Sequence, residues 1–108
     1  MPDASQWAIF ESRYQLSTYT KSRFALLGDA AHASTPHQGA GAGQAVEDAH
    51  VLAELIGDPR VVQPPDLVVA FKAYDAVRRP RSQRVVTTSR EVGNLWCLSQ
   101  KGVLDDEE

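Results

Sequence analysis

The residues best placed to do chemistry fall in one stretch of this 108-residue chain: Gly28-Asp29-Ala30-Ala31-His32, then Pro36, then Gly39-Ala40-Gly41-Ala42-Gly43. Asp29 accepts hydrogen bonds and donates none when ionised, so it can hold one or two hydroxyl groups of a ligand. Gly39 to Gly43 offers backbone N–H groups with almost no side chain in the way. The turn runs straight into an amphipathic segment, so those donors sit at a helix N-terminus. Such an end carries about half a unit of positive charge and favours an anion or a polarised carbonyl.

A polyol near Asp29 and an electron-rich planar group near Gly41 to Gly43 would suit both features, and a flavin with its ribityl chain has these two parts. Other readings stand beside it. The turn lacks the Gly-Lys-Ser/Thr ending of a triphosphate-binding loop and the full Gly-x-Gly-x-x-Gly spacing of a dinucleotide fingerprint. It could also be a tight turn whose small residues allow close helix–strand packing. His32 and His37 are near in sequence, but no Glu-x-x-His or cysteine set supports a metal site, so no metal is expected. His32 is expected to hold the turn through a ring hydrogen bond, His37 to line a pocket and His50 to be a packing or surface residue. Ser34 lacks a nucleophile-elbow context, which argues against hydrolysis.

The elements that must position these residues follow from pattern. Trp7 to Phe10 is a short apolar run, readable as a strand or as packing against one, and Tyr14 to Thr20 reads as an extended connection. Arg23 to Leu27 is apolar without alternation, as in a strand buried on both faces of a parallel sheet, and it places Asp29 just past the strand's carboxyl end. Ligands of open α/β sheets bind at that end. Ala42, Ala45, Val46, Ala49, Leu52, Ala53 and Ile56 recur at helical spacing, with Gln44, Glu47, Asp48 and Glu54 mainly on the other side. Gly57-Asp58-Pro59 ends this helix. A second helix opens at Pro64-Pro65-Asp66, with Asp66 as N-cap and Leu67, Ala70, Phe71, Tyr74 and Val77 as its apolar face. Pro80 predicts a break or kink near Arg79. A third helix carries Val85, Ser89, Val92 and Trp96 on one side. The fold class expected is therefore α/β: one buried strand, a glycine-rich turn and about three helices. One strand cannot satisfy its own backbone groups, so the pattern reads as a fragment of a larger sheet. Residues 1–101 form the domain portion and 102–108 an acidic, frayed tail.

Composition narrows the partners. Hydrophobic content of 43% and charged content of 23% fit a globular domain, not a disordered chain. A net charge of −3 gives no general attraction for nucleic acid or acidic membranes. Arg78, Arg79, Arg81, Arg84 and Arg90 crowd one segment; they read as a solvated helix face or a contact to another domain, with phosphate binding as the lesser alternative. Cys97 is the single cysteine, so no internal disulfide can form. With no signal peptide or membrane-length apolar run, an intracellular, cytoplasmic location is expected.

Gly28-Asp-Ala-Ala-His32, then Pro36, the Gly-x-Gly turn and Glu47-Asp-Ala49, resembles the second flavin motif of single-component FAD-dependent aromatic monooxygenases. Trp7-Ala-Ile-Phe10, the Arg23 strand, Tyr74-Asp75 and Arg78-Arg-Pro-Arg81 resemble their salicylate hydroxylase-like branch, so the likeness covers roughly residues 7 to 96. The resemblance implies an FAD site in which Asp29 holds a ribityl hydroxyl and Gly39, Gly41, Ala42 and Gly43 approach the pyrimidine edge of the isoalloxazine. Pro36 then lies beside the flavin near the substrate cavity. It also implies NAD(P)H and O2 as co-substrates and a small aromatic substrate. The chain departs from the family in having no Gly-x-Gly-x-x-Gly element or middle Asp-Gly motif; in the family these precede the segment matched here. The expected role is thus the C-terminal part of such an enzyme, holding half a cofactor site and inactive alone. The alternative is a non-catalytic flavin-motif fragment or interaction module.

Overall fold

The computed structural model describes residue 5 and residues 7–97. Two short strands, β1 (Thr20–Lys21) and β2 (Phe24–Ala25), pair antiparallel with Thr20 opposite Ala25 and Lys21 opposite Phe24. A single helical turn, α1 (Asp29–His32), leads to a 3-10 turn at Pro36–Gln38 and then to α2 (Gly41–Ile56) and α3 (Pro64–Trp96). The acidic segment 102–108 lies outside the described residues. Trp7 to Phe10 forms no strand and is exposed.

The strand expected to be buried on both faces is corrected in this chain. Only Phe24 and Ala25 are in strand geometry, their one partner is β1, and Phe24 is 79% exposed. Among the described residues no element covers the outer side of this apolar run. The combination of strands and helices is retained; the parallel sheet is not present in these residues.

Pro80 does not break the chain's longest helix. α3 runs 33 residues straight through it. Proline's fixed φ is compatible with a helix, and its cost is one lost i to i−4 bond and a crowded carbonyl, about 3 kcal/mol. Tertiary packing on both sides outweighs that cost: Tyr74 and Arg78 are buried before Pro80, and Ser82, Val86 and Ser89 after it. At its start the N-cap is Gln63, not Asp66. Asp66 occupies N3 of a capping box, and its Oδ2 accepts from the Val62 and Gln63 N–H groups.

α2 and α3 form an antiparallel pair whose seam partly reverses the expected sides of α2, although Leu52 still packs toward the core and Glu54 is exposed. Val46 is 68% exposed and Ala42, Ala49, Ala53 and Ile56 face outward, whereas Gln44 and Asp48 are buried. The reason lies across the seam. Arg78, 1% exposed, donates from Nε to Asp48 Oδ1 (2.7 Å) and from Nη1 to Glu47 Oε2 (2.6 Å). Its Nη2 reaches Gln44 Oε1 at 2.9 Å and the Gln44 carbonyl at 3.1 Å. A guanidinium out of water needs this many acceptors, and the polar face of α2 supplies them. The other arginines are mostly paired too: Arg79 with Asp75, Arg81 with both oxygens of Glu47, and Arg90 with Glu11.

The apolar centre beside this seam is small: Tyr19, Ala31 and Tyr74, flanked by Ala25, Val51, Leu52 and Leu55. Both phenols end on hydrogen bonds, Tyr19 with Ser82 Oγ (2.8 Å) and Tyr74 with the Leu26 carbonyl (2.8 Å). Burial raises the pKa of each, so both stay neutral donors at any physiological pH.

Removing the guanidinium leaves a buried carboxylate without its main counter-charge. Arg78→Met should therefore lower the unfolding free energy by about 3–5 kcal/mol in chemical denaturation, a large share of a small domain's total. Acid acts on the same seam. Arg81 and Arg78 hold the Glu47 carboxyl down at about 2, below its ordinary 4.5. A depressed folded-state pKa gives stability that is present above the ordinary value and lost as pH falls through the folded one. The thermal midpoint should thus drop between about pH 4.5 and pH 2, and Glu47→Gln should flatten that drop.

Candidate functional site

Asp48 builds the site as well as the seam. Its Oδ2 accepts from the Gly28 N–H at 2.9 Å and meets His32 Nε2 at 2.6 Å, while Oδ1 faces Arg78. Gly28 and His32 therefore hang on one carboxylate, and Asp29 lies between them. Burial opposes ionisation of Asp48, but the hydrogen bonds from Gly28, His32 and Arg78 outweigh it and hold its carboxyl below the usual range. His32 thus fixes the turn through a ring hydrogen bond, as its position in the sequence implies.

Gly28 adopts φ 58°, ψ −143°, where a side chain would be strained. This backbone reversal turns the chain from β2 into α1 and leaves Asp29 exposed at the start of α1. With Gly28 fixed from below and His32 buried behind, Asp29 lines an open concavity of about 560 Å³. Ser34, Pro36, Gly39, Gly41, Ala42 and Ala45 line the rest of it. Five of the six residues singled out from the sequence thus share one surface. The sixth, Gly43, follows on the first turn of α2.

The floor of that surface is the start of α2. The first intrahelical bond runs from the Gln44 N–H to the Ala40 carbonyl, and no side chain caps this end. The N–H groups of Gly41, Ala42 and Gly43 precede that bond and have no acceptor within the helix. Gly39 takes the left-handed conformation that brings the chain from the 3-10 turn into the helix. At Gly43 the case differs: a Cβ built there meets nothing within 4 Å. The fold itself does not require glycine at this position. An acidic acceptor, three oriented donors and a bare backbone fit the ribityl and pyrimidine parts of a flavin.

His37 and the arginines are placed otherwise. His37 turns away from the concavity and packs edge-on against Trp96, with ring centroids 5.8 Å apart. His50 is exposed. The arginine cluster serves the α2–α3 seam and has Glu47, Asp48, Asp75 and Glu11 as its anions. Among the described residues no group of three or more His, Cys, Asp or Glu could hold a metal ion, and no helix is long and apolar enough to cross a membrane. The sequence reading missed Asp48 and Arg78 as the supports of Asp29. The available signal was a buried-helix arginine preceding a proline and a Glu-Asp pair on the first turns of α2.

The open space at Gly43 generates a direct test. Within a helix, alanine is better than glycine by roughly 0.5–1 kcal/mol. Gly43→Ala should leave the fold unchanged or raise its stability by up to about that amount in thermal unfolding. A marked loss would mean that the fold, not a ligand, demands the glycine.

Comparison with known proteins gives the family and the fold. The chain is 44% identical over its whole length to a salicylate hydroxylase of Pseudomonas putida and 44% identical over 104 residues to a 6-methylsalicylate 1-monooxygenase of Aspergillus terreus. It spans about a quarter of the length of these relatives, 24% and 23%. Among solved structures, a salicylate hydroxylase substrate complex superposes with a TM-score of 0.76 at 50% identity, over 85% of this chain and 22% of that one. Klebsiella pneumoniae HpxO complexed with FAD and uric acid superposes with a TM-score of 0.66 at 35% identity, over 74% of this chain and 19% of that one. A family model described as FAD binding domain matches residues 2–89, and this chain belongs to that family.

Proposed function

We propose that this chain forms the ribityl and isoalloxazine side of the FAD site in an NAD(P)H- and O2-dependent aromatic-ring hydroxylase of salicylate hydroxylase type. The observation that carries the proposal is the convergence of Asp29, Pro36, Gly39 and the uncapped start of α2 at Gly41 and Ala42 on one concavity, with the bare backbone of Gly43 next along the helix. Bound FAD would supply the redox chemistry, carrying electrons from NAD(P)H and activating O2 toward an electron-rich ring.

The chain's own residues bind and orient. Asp29 accepts a hydrogen bond from a ribityl hydroxyl; a bond to a charged group contributes about 1.5–3 kcal/mol. The Gly41, Ala42 and Gly43 N–H groups face the pyrimidine edge, where negative charge collects on reduction. Donors fixed in advance stabilise that charge without reorganising, and the helix dipole adds to them. Pro36 and Gly39 shape the rim, and the rigid ring of Pro36 excludes water from the flavin's edge without introducing a competing donor. Asp48, through Gly28 and His32, holds the backbone turn that carries Asp29 at the rim of the concavity.

Nothing in the described residues encloses the adenosine half of FAD, so the chain alone holds half a site. Titrated with free FAD and followed by flavin fluorescence, the isolated chain should show a dissociation constant weaker than micromolar and no hydroxylase activity. A chimera of the Pseudomonas putida salicylate hydroxylase, with its matching segment replaced by this chain, should purify with FAD bound. In that chimera Asp29→Ala should weaken FAD roughly ten- to a hundredfold, and Gly43→Ala should weaken it without loss of thermal stability. Unchanged affinity in both variants would sink the proposal.

A further inference from the structure

The far end of α3 makes a second set of contacts that the α2 seam does not explain. Ser89 Oγ donates to the Thr35 carbonyl at 2.6 Å, and Thr35 Oγ1 lies 2.9 Å from Ser89 Oγ. Thr88 Oγ1 lies 3.1 Å from Gln38 Oε1. Between these two ties sit Pro36 and His37. The His37 ring rests on buried Gly93, where a Cβ would come within 2.5 Å of Cε1 and Nδ1 and 3.0 Å of Cγ. Trp96 meets the ring edge-on at 84°. His37 Nδ1 is buried without a hydrogen-bond partner among the described residues. Shape, not a hydrogen bond at that nitrogen, therefore sets where the ring sits.

We propose that Gly93 is a positioning residue for the flavin-side turn. By admitting the His37 ring against the α3 backbone, it sets how far Pro36 leans over the concavity that Asp29 and the start of α2 share. The inference rests on the reading of that concavity as the FAD site. Its mechanical part does not. Pro36 and His37 are adjacent on one 3-10 turn, whose N-cap Thr35 is tied to Ser89 and whose last residue Gln38 contacts Thr88, so these ties resist a drift of the turn as a whole. A side chain at position 93 would push the ring, and the ring would carry Pro36 with it.

The test is a two-residue cycle of Gly93→Ala and His37→Ala. In the isolated chain, Gly93→Ala should shift the backbone amide resonances of His37, Gln38, Gly39 and Gly41. With His37→Ala already present, Gly93→Ala should leave those of Gln38, Gly39 and Gly41 in place. In the chimera described above, Gly93→Ala should move the visible absorption bands of the flavin and weaken FAD roughly fivefold, within the coupling range of residues in contact. The same substitution should have no further effect on the His37→Ala background. A purely structural glycine would lower the thermal midpoint in both backgrounds and leave the flavin bands where they were. Unmoved amides overturn the proposal whatever the flavin does. Moved amides with an unaltered flavin overturn it as well: if Asp29→Ala still loosens FAD, the fault lies with Gly93, and if it does not, the concavity is not the flavin site and both readings fall.

Discussion

The Arg78–Asp48 pair is the constraint on which the rest of this structure depends. Both side chains are withdrawn from water, and each needs the other because an isolated buried charge is far more costly than a paired one. Satisfying Arg78 brings the polar face of α2 against α3. Satisfying Asp48 brings in the Gly28 N–H and the His32 ring, and with them the turn that presents Asp29. One electrostatic requirement thereby fixes both a helix pair and a binding surface. In net terms such a pair adds little stability over an apolar contact of similar shape, so its value lies in geometry.

This requirement also explains why α2 looks partly inverted. A helix in a small domain normally turns its apolar stripe inward. Here Val46, Ala49, Ala53 and Ile56 face out, on a chain whose aromatic residues Trp7, Phe10 and Phe24 are exposed as well. Exposed large apolar residues in this number are more than a small domain usually shows to water. That agrees with the chain spanning about a quarter of its relatives' length.

Much of the site was legible in the sequence, because glycines, a proline and an acid at a helix start act through backbone geometry that spacing reveals. Asp29, Pro36, Gly39, Gly41 and Ala42 do share one surface, and His32 does lock the turn. What periodicity could not reveal was which face of α2 is buried, since hydrophobic spacing gives the stripes but not the partner. Of the buried stripe of α3, which runs Ala70, Tyr74, Arg78, Ser82, Val86, Ser89 and Gly93, it reached Ala70, Tyr74 and Ser89 but not the other four. Only three of those seven are apolar side chains of any kind, so the seam carries almost no hydrophobic signal. The break expected at Pro80 failed for a related reason: a local preference of about 3 kcal/mol lost to packing on both flanks. The strand Arg23 to Leu27 reads as buried because its residues are apolar, and the surface that would bury it is not among the described residues.

The stripe on α3 has a geometric consequence for assembly. Four-residue steps advance about 40° around a helix with 3.6 residues per turn, so successive buried positions look toward different neighbours: Tyr74 to Leu26, Arg78 to α2, Ser82 to Tyr19, Ser89 to Thr35. A slip of α3 by one turn, about 5.4 Å, in the direction that sets the guanidinium against Leu52 would also set the Asp48 carboxylate against Ser82, and would disturb these contacts together. An apolar seam of alanines and leucines would tolerate such a slip at modest cost. The charged seam makes the chain's register close to all-or-none, and a helix of about 50 Å can then hold the turn at its far end in place.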